Sequence, residues 1–402
     1  MNNLKPIIKV IGVGGGGCNA ISFMSYSEID GVEFIAANTD AQDLEKLKNV
    51  NKKIQLGEKL TSGLGAGADP KIGRKSAEDD EEIIRNYLEG ANLLFISAGM
   101  GGGTGTGAAP VIAEIARKMG LLVIAVVTKP FDFERESRMN KALKGIEELR
   151  PNVDSLIIIP NQKLKDIMPE ETSLKEVFES VDRVLYDAIQ GISDIVTKTG
   201  FINIDFNDLK TIMSNSGDTK NSLIGIGKAK GEGRATKAAL EAINCPFLEE
   251  RNLSSANGVI VNVTLDVDAS LKEFEEVGDV IKSITSEGAE VIMGATISEK
   301  ASDEITVTII ATDFIAKENK EIIENKDTKK IEEIDSELPS FLSKNKNKKT
   351  TPKNENKNIP IEILEKIETK NPNISTELPN EILENKVEEK NIEVFNFFKK
   401  KI

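Results

Sequence analysis

The run Gly99-Met100-Gly101-Gly102-Gly103-Thr104-Gly105-Thr106-Gly107 lies between an apolar, strand-like stretch at residues 93–97 and a helical pattern through Val111, Ile115 and Met119. Glycines let a backbone approach an anion closely and aim successive N–H groups at it, and a helix amino terminus adds its dipole. A flexible linker would not sit between a strand and a helix, so the run reads as a phosphate-binding loop in a nucleotide-binding chain. A second run, Gly12-Val13-Gly14-Gly15-Gly16-Gly17, follows another strand-like stretch and precedes Asn19 and Ala20. It satisfies G-x-G-x-x-G, the dinucleotide fingerprint, with Asp40 placed to be the ribose-binding acid, and so leaves an NAD-dependent oxidoreductase open. A third run, Gly63-Leu64-Gly65-Ala66-Gly67-Ala68, suggests instead a wrapped polyphosphate. The pattern G-x-x-x-x-G-K-[ST] is absent, so an NTPase here is not of the P-loop class.

Carboxylates gather in Asn203-Ile204-Asp205-Phe206-Asn207-Asp208. Asp205 can cap a helix beginning near Asp208, with Asp208 favourable in its first turn. Alternatively the two acids orient a water, because phosphoryl transfer to water asks mainly for positioning and charge stabilisation. The residues alone leave both readings open. The chain has no histidine, so acid–base work falls to carboxylates, Lys or bound water.

The elements that would position these groups alternate. Residues 7–13, 33–37, 93–97, 121–127 and 156–159 read as strands between helical segments, the pattern of a parallel sheet covered on both faces. Residues 172–198 have helical period, with Leu174, Val177, Val181, Leu185, Ile189, Ile192 and Val196 three or four apart, and read as one long buried helix. Beyond it a smaller α/β unit is expected, with helices near 234–243 and 271–285 and strands at 259–265, 290–295 and 304–311. After about residue 317 Lys, Asn and Glu dominate, a composition that buries too little apolar surface to offset chain entropy. A flexible linker of about 70 residues would reach on the order of 45 Å, and it leads to Val394, Phe395, Phe397 and Phe398.

With 402 residues there is room for two cores. The net charge of −14 argues against nucleic acid or an anionic membrane surface as a direct partner. Cys18 and Cys245 match neither a disulfide framework nor a zinc pattern, as expected in the cytoplasm. Apolar runs are only strand-sized, so no membrane insertion is expected, and the first residues do not read as a secretion signal.

Taken in order, Gly14 to Ala20, Asn38-Thr39-Asp40-Ala41-Gln42, Gly63 to Pro70, Gly101 to Gly107, Thr128-Lys129-Pro130-Phe131, Phe133-Glu134 and Asn203 to Asp208 resemble the FtsZ family of bacterial tubulin-like cell-division GTPases. The resemblance spans residues 6–314. It implies an α/β fold in which a tubulin-like GTPase domain with a Rossmann-like parallel sheet (1–171) is joined by a central helix (172–200) to a smaller α/β domain (201–316). A disordered linker (317–390) and a partner-binding tip (391–402) would follow. The implied ligands are GTP or GDP, with Mg2+ held largely through phosphate oxygens and water.

Carried over by position, the resemblance implies that Gly14, Gly15, Gly16, Gly17, Gly99, Met100, Gly101, Gly102, Gly103, Thr104 and Gly105 hold the phosphates. Ala66, Gly67 and Ala68 would lie near the γ-phosphate, with Asn38 and Asp40 close to the nucleotide. Glu134 and Arg138 would contact the ribose and phosphate side, and Asn19, Phe178 and Asp182 would surround guanine, whose N1 and N2 hydrogens a carboxylate can accept. The plain alternatives are core packing for Phe178 and a solvated helix face for Arg138. Asn203, Asp205 and Asp208 would be catalytic against the nucleotide of the next subunit, so that a head-to-tail filament and hydrolysis arise together.

Three positions depart from the family's usual pattern: Ser22-Phe23 stands for Asn–Arg, Arg135 for Gly, and Asp218-Thr219-Lys220 is an apparent insertion. Two tail peptides, residues 337–342 and 394–399, compete as the docking site for membrane tethers and regulatory division proteins at midcell. A tubulin-like filament protein outside division is the remaining alternative.

Overall fold

The computed structural model describes residues 6–314 except 27, 28, 30, 170, 199, 203, 215–219, 249–252, 267 and 299–302. Asn203, most of the insertion at 218–220, the linker and both tail peptides therefore lie outside the described residues.

Strands β1 (Ile8–Val13), β2 (Val32–Asn38), β3 (Lys52–Gln55), β4 (Leu93–Gly99), β5 (Leu122–Lys129) and β6 (Ser155–Pro160) form a parallel array in the order β3-β2-β1-β4-β5-β6. The order reverses between β1 and β4, and in open α/β sheets ligands bind at the carboxyl ends of the strands at such a switch point. All six residues of β1 are buried, because a strand of a doubly covered parallel sheet is apolar on both faces. Val10, Phe95 and Ile124 point to one core with Cys18, Ile21 and Met24 of the first helix (Gly14–Tyr26). Val181, Leu185 and Ile189 of the central helix (Leu174–Thr197) belong to the same core. Ile11, Ile96 and Ala125 point to the other core, against Ala108, Ile112 and Ala116 of the signature helix (Thr104–Lys118).

The central helix starts two residues later than periodicity alone suggests. Ser173 is its cap: the hydroxyl accepts from Glu176 N at 3.3 Å, and the Glu176 carboxylate accepts from Ser173 N at 2.9 Å. Leu174, expected on the buried stripe, is 62% exposed, since the first turn precedes the packed part of the helix.

Past the central helix come β7 (Gly200–Ile202), β8 (Asn221–Lys230), β9 (Ala256–Leu265), β10 (Glu290–Ile297) and β11 (Glu304–Phe314), in the order β8-β11-β9-β10-β7. Helices Arg234–Ile243 and Leu271–Ile284 cover a third core on this sheet. Here β9 and β10 are parallel and the other pairings antiparallel, and β8 also pairs with β6 through Leu156 and Ile157. The fold is the expected α/β one, a parallel nucleotide-type sheet joined by a long helix to a smaller α/β unit. Strands β3, β7 and β8 were not foreseen. The first two are only 4 and 3 residues long, and β8 carries Gly225 and Gly227 inside it, where a Cβ would overlap the backbone of the helix Arg234–Ile243 at Ala242 O and Ala238 O.

What locks the first glycine loop to the sheet is lack of a side chain. A Cβ on Gly17 would overlap the Ser97 carbonyl oxygen of β4 and stand 3.0 Å from the Gly12 carbonyl carbon. Gly17→Ala is expected to cost about 1–3 kcal/mol through overpacking, read as a lowered thermal midpoint.

Candidate nucleotide site

The three glycine runs converge at the carboxyl ends of β1, β2 and β4. Gly14, at φ +72°, is so close to the signature helix that a Cβ there would lie 2.7 Å from Gly105 N. A Cβ on Gly16 would touch Gly99 Cα at 3.4 Å, and one on Gly103 would lie 2.9 Å from Ala66 Cβ and 3.2 Å from Ala68 Cα. Gly15, Gly16, Gly67 and Ala68 are exposed and Gly102 is half-exposed, whereas Ala66, Met100, Gly103, Thr104 and Gly105 are buried beneath them. The signature loop is held by its own threonines: Gly101 N donates to Thr106 Oγ1 at 2.8 Å, and Thr104 Oγ1 shares a 2.6 Å hydrogen bond with Thr39 Oγ1. Exposed backbone amides over a helix amino terminus form a site for phosphate.

Asn38 is buried at the end of β2. Asp40 caps the helix Ala41–Lys46, its Oδ1 accepting from Gln42 N at 3.0 Å and Asp43 N at 3.2 Å. It also bridges to Leu64 in the third glycine run. Cys18, one position past that first loop, is buried, and burial pushes its thiol up to about 12, which keeps it an inert packing group.

A second cluster borders the loops. A Cβ on Gly101 would lie 2.8 Å from Arg138 Cγ, so Arg138 lies against the signature loop while its side chain stays exposed to solvent. Glu134 Oε2 pairs with Arg138 Nε at 3.1 Å, and its Oε1 accepts from Phe131 N at 2.9 Å. Phe131 is buried, stacks on Phe133 at 5.0 Å and meets Phe178 edge-on at 5.4 Å. Phe178 is 43% exposed, which removes core packing as its explanation. One turn on, Asp182 is half-buried and has no cationic partner among the described residues. Burial, with a smaller contribution from Glu179, pushes its carboxyl up to about 7. Asn19 is exposed on the first helix, which packs along the central helix.

The structure therefore gathers the phosphate and ribose candidates and Phe178 around one end of the sheet, and it keeps Asp205 and Asp208 away from them. Both acids are exposed and follow the far end of the central helix, which spans about 36 Å at the usual rise per residue. Asp205 Oδ1 accepts from Asn207 N at 2.9 Å, and the helix Phe206–Ser214 begins two residues earlier than expected, with Asp208 in its first turn. The cap geometry is present, and it leaves Asp208 open to solvent.

A model of the GTPase domain of the tubulin/FtsZ family matches residues 7–169, and a model of the FtsZ family C-terminal domain matches residues 221–315. The cell division protein FtsZ of Buchnera aphidicola subsp. Acyrthosiphon pisum is 48% identical, over 81% of this chain and 85% of its own length. FtsZ of Pseudomonas aeruginosa is 49% identical over 79% of each chain. A solved structure of an empty FtsZ dimer from M. jannaschii superposes with a TM-score of 0.72 at 41% identity, covering 77% of this chain and 89% of that one. Fold, loops and matches together define a guanine-nucleotide-binding GTPase of the tubulin type. Within that class the chain belongs to the FtsZ family, which decides between the two readings of the first glycine run in favour of GTP.

Thr39 and Thr106 stand inside the quoted runs without a role of their own, and Lys141, whose Nζ donates to Ala68 O at 2.7 Å, stands outside them. Thr39 and Lys141 act on loops distant in sequence, and Thr106 closes its own loop onto Gly101 N, a role that the glycine pattern around it does not mark. Arg135 was noted as a departure, and it has a structural cost: it holds φ +76° and ψ 149°, a region that suits glycine. Arg135→Gly is expected to stabilise the fold by about 1 kcal/mol, the relief of strain exceeding the added chain entropy. Thermal denaturation checks this, with an upward shift predicted.

Proposed function

We propose that this chain is a cell-division GTPase that assembles head to tail, its hydrolytic site completed between successive subunits. The relatives' name, cell division protein FtsZ, supports the cellular role, and the M. jannaschii dimer supports self-association. The observation that carries the composite site is the separation of Asp205 and Asp208 from the glycine loops by the length of the central helix. Acids at one end and a phosphate cradle at the other suit a heterologous contact, which does not close and so propagates a filament.

In this reading Gly14 to Gly17 and Gly99 to Gly105 hold the phosphates, Ala66 to Ala68 flank the γ-phosphate, and Asn38 and Asp40 brace the loops beneath. Glu134 and Arg138 take the ribose side, and Asn19, Phe178 and Asp182 take guanine. Backbone amides fixed by Thr39, Thr104 and Thr106 face the oxygens on which charge develops, at no reorganisation cost. Asp205 and Asp208 of the next subunit, with Asn203, orient the attacking water toward the γ-phosphorus, so turnover requires assembly. Mg2+ fits such a site without a protein cage. No group of three or more His, Cys, Asp or Glu is arranged to hold a metal among the described residues, and an ion carried by phosphate oxygens and water needs few protein ligands. It would neutralise phosphate charge.

The proposed division of the chain is a nucleotide domain at 1–171, the central helix at 172–200, an activating domain at 201–316, a linker at 317–390 and a tip at 391–402. Residues 337–342 or 394–399 would dock membrane-tethering and regulatory division proteins. No helix among the described residues is long and apolar enough to cross a membrane, and the proposed place of action is the cytoplasmic face of midcell.

Asp208→Ala is expected to bind GTP and assemble while losing hydrolysis by about 10²–10⁴-fold, with wild-type turnover per subunit falling on dilution. Constant turnover across protein concentration would refute the composite site. The raised Asp182 carboxyl makes protons compete with guanine, which needs the ionised form to accept two hydrogens. Binding of fluorescent GDP is expected to weaken by about tenfold from pH 8 to pH 6, because one unit below its pKa about nine in ten carboxyls are protonated. Asp182→Asn is expected to flatten that profile.

A further inference from the structure

The first helix and the central helix run side by side in the same direction. Phe23 of one meets Tyr186 of the other edge-on, with ring centroids 5.9 Å apart and planes at 80°. Further along, Gly31, just past the first helix, approaches the Thr197 side chain at the end of the central helix. Asn19 lies one turn before Phe23, and Asp182 one turn before Tyr186. The aromatic contact therefore forms the floor beneath the level at which Asn19 and Asp182 stand.

The charges around that floor are held in pairs: Asp187 and Asp194, which both act on Tyr186, bind Lys228 and Lys198. From Gly14 to Tyr26 the first helix has no charged side chain. The nearest cation on the central helix, Arg183, is already engaged: its Nε pairs with Asp187 at 3.6 Å, and its guanidinium carbon lies 5.7 Å over the Tyr186 ring. Tyr186 is itself buried, and burial pushes its hydroxyl up to about 12. Asp182 is thus a half-buried carboxylate above that floor, with Glu179 the charged group that acts on it.

We propose that Phe23 determines base selectivity: its ring, braced by Tyr186, seals the gap between the two helices below Asp182, so that water cannot stand in for the 2-amino donor of guanine. This rests on the assignment of Asp182 to guanine made above. Where water is excluded, a base lacking one donor leaves a carboxylate oxygen unsatisfied, and the loss is larger than at a wet site. Phe23 is a positioning residue, acting through Asp182 and touching no reacting atom.

The test is competition titration of the full chain with fluorescent GDP displaced by GDP or by inosine diphosphate, which is guanosine diphosphate without the 2-amino group. The wild type is expected to favour GDP by about 10–100-fold, the value of a hydrogen bond to a charged group. Phe23→Leu, which keeps the seal, should stay near that ratio, whereas Phe23→Ala should drop it below about threefold at a wet carboxylate. Equal weakening of both ligands by Phe23→Ala, with the ratio at its wild-type value, would overturn the proposal and leave Phe23 a packing residue. If Phe23→Ala does not fold, Phe23→Val is read by the same ratio, and an unchanged ratio again overturns it. A wild type that shows no preference for GDP would instead strike at the guanine assignment of Asp182 itself.

Discussion

The nucleotide end of the molecule depends on the approach of two backbones, at Gly14 and Gly105. β1 and β4 are parallel neighbours with Val13 opposite Ala98, so the loops leaving them emerge side by side. The helices that follow are committed to opposite faces, the first to the core shared with the central helix and the signature helix to the other. The loops must cross in contact, and a Cβ on either glycine would meet the other loop's backbone, at Gly105 N, 2.7 Å away, in one direction and at Val13 O, 3.2 Å away, in the other. The same closeness brings the two loops together at the switch point of the sheet, where the proposed phosphate site lies. Glycine here serves packing and, in the proposed reading, binding through a single geometric fact.

From that point the architecture extends along the central helix. It supplies Phe178 and Asp182 at the nucleotide end and delivers Asp205 and Asp208 beyond its far end, and its stiffness keeps the two apart. In the proposed reading each end by itself is incomplete as a hydrolase: the glycine loops would hold the phosphates, and the exposed Asp205 and Asp208 lie beyond the far end of the helix. A head-to-tail filament would join them without any change of fold.

Much of this was legible in the residues. The parallel sheet, the central helix and the helices of the second unit follow from apolar period and from glycine at strand ends, because those signals are local. The glycine runs could be assigned to phosphate for the same reason. What stayed hidden depends on contacts between distant segments: the hydroxyl pair Thr39–Thr104, the Lys141 tie to Ala68 and the half-buried setting of Asp182. Short β3 and β7 were hidden because 3 or 4 residues carry no readable period. Phe178 shows the limit from the other side. Its helical spacing fits a core stripe, yet its ring sits half-exposed on Phe131, where only the fold places it.

The most direct test of the composite site mixes two defective subunits. Asp208→Ala keeps the glycine loops and lacks the acid, while Gly105→Ser, whose side chain would press on Gly99 O and Val13 O, loses the nucleotide and keeps the acid. If the site is shared, every contact that sets an Asp208→Ala nucleotide against a Gly105→Ser neighbour is complete. GTP hydrolysis by the mixture should then clearly exceed the sum of the two separate rates. A mixture that hydrolyses GTP no faster than that sum, while still co-assembling, would contradict the account.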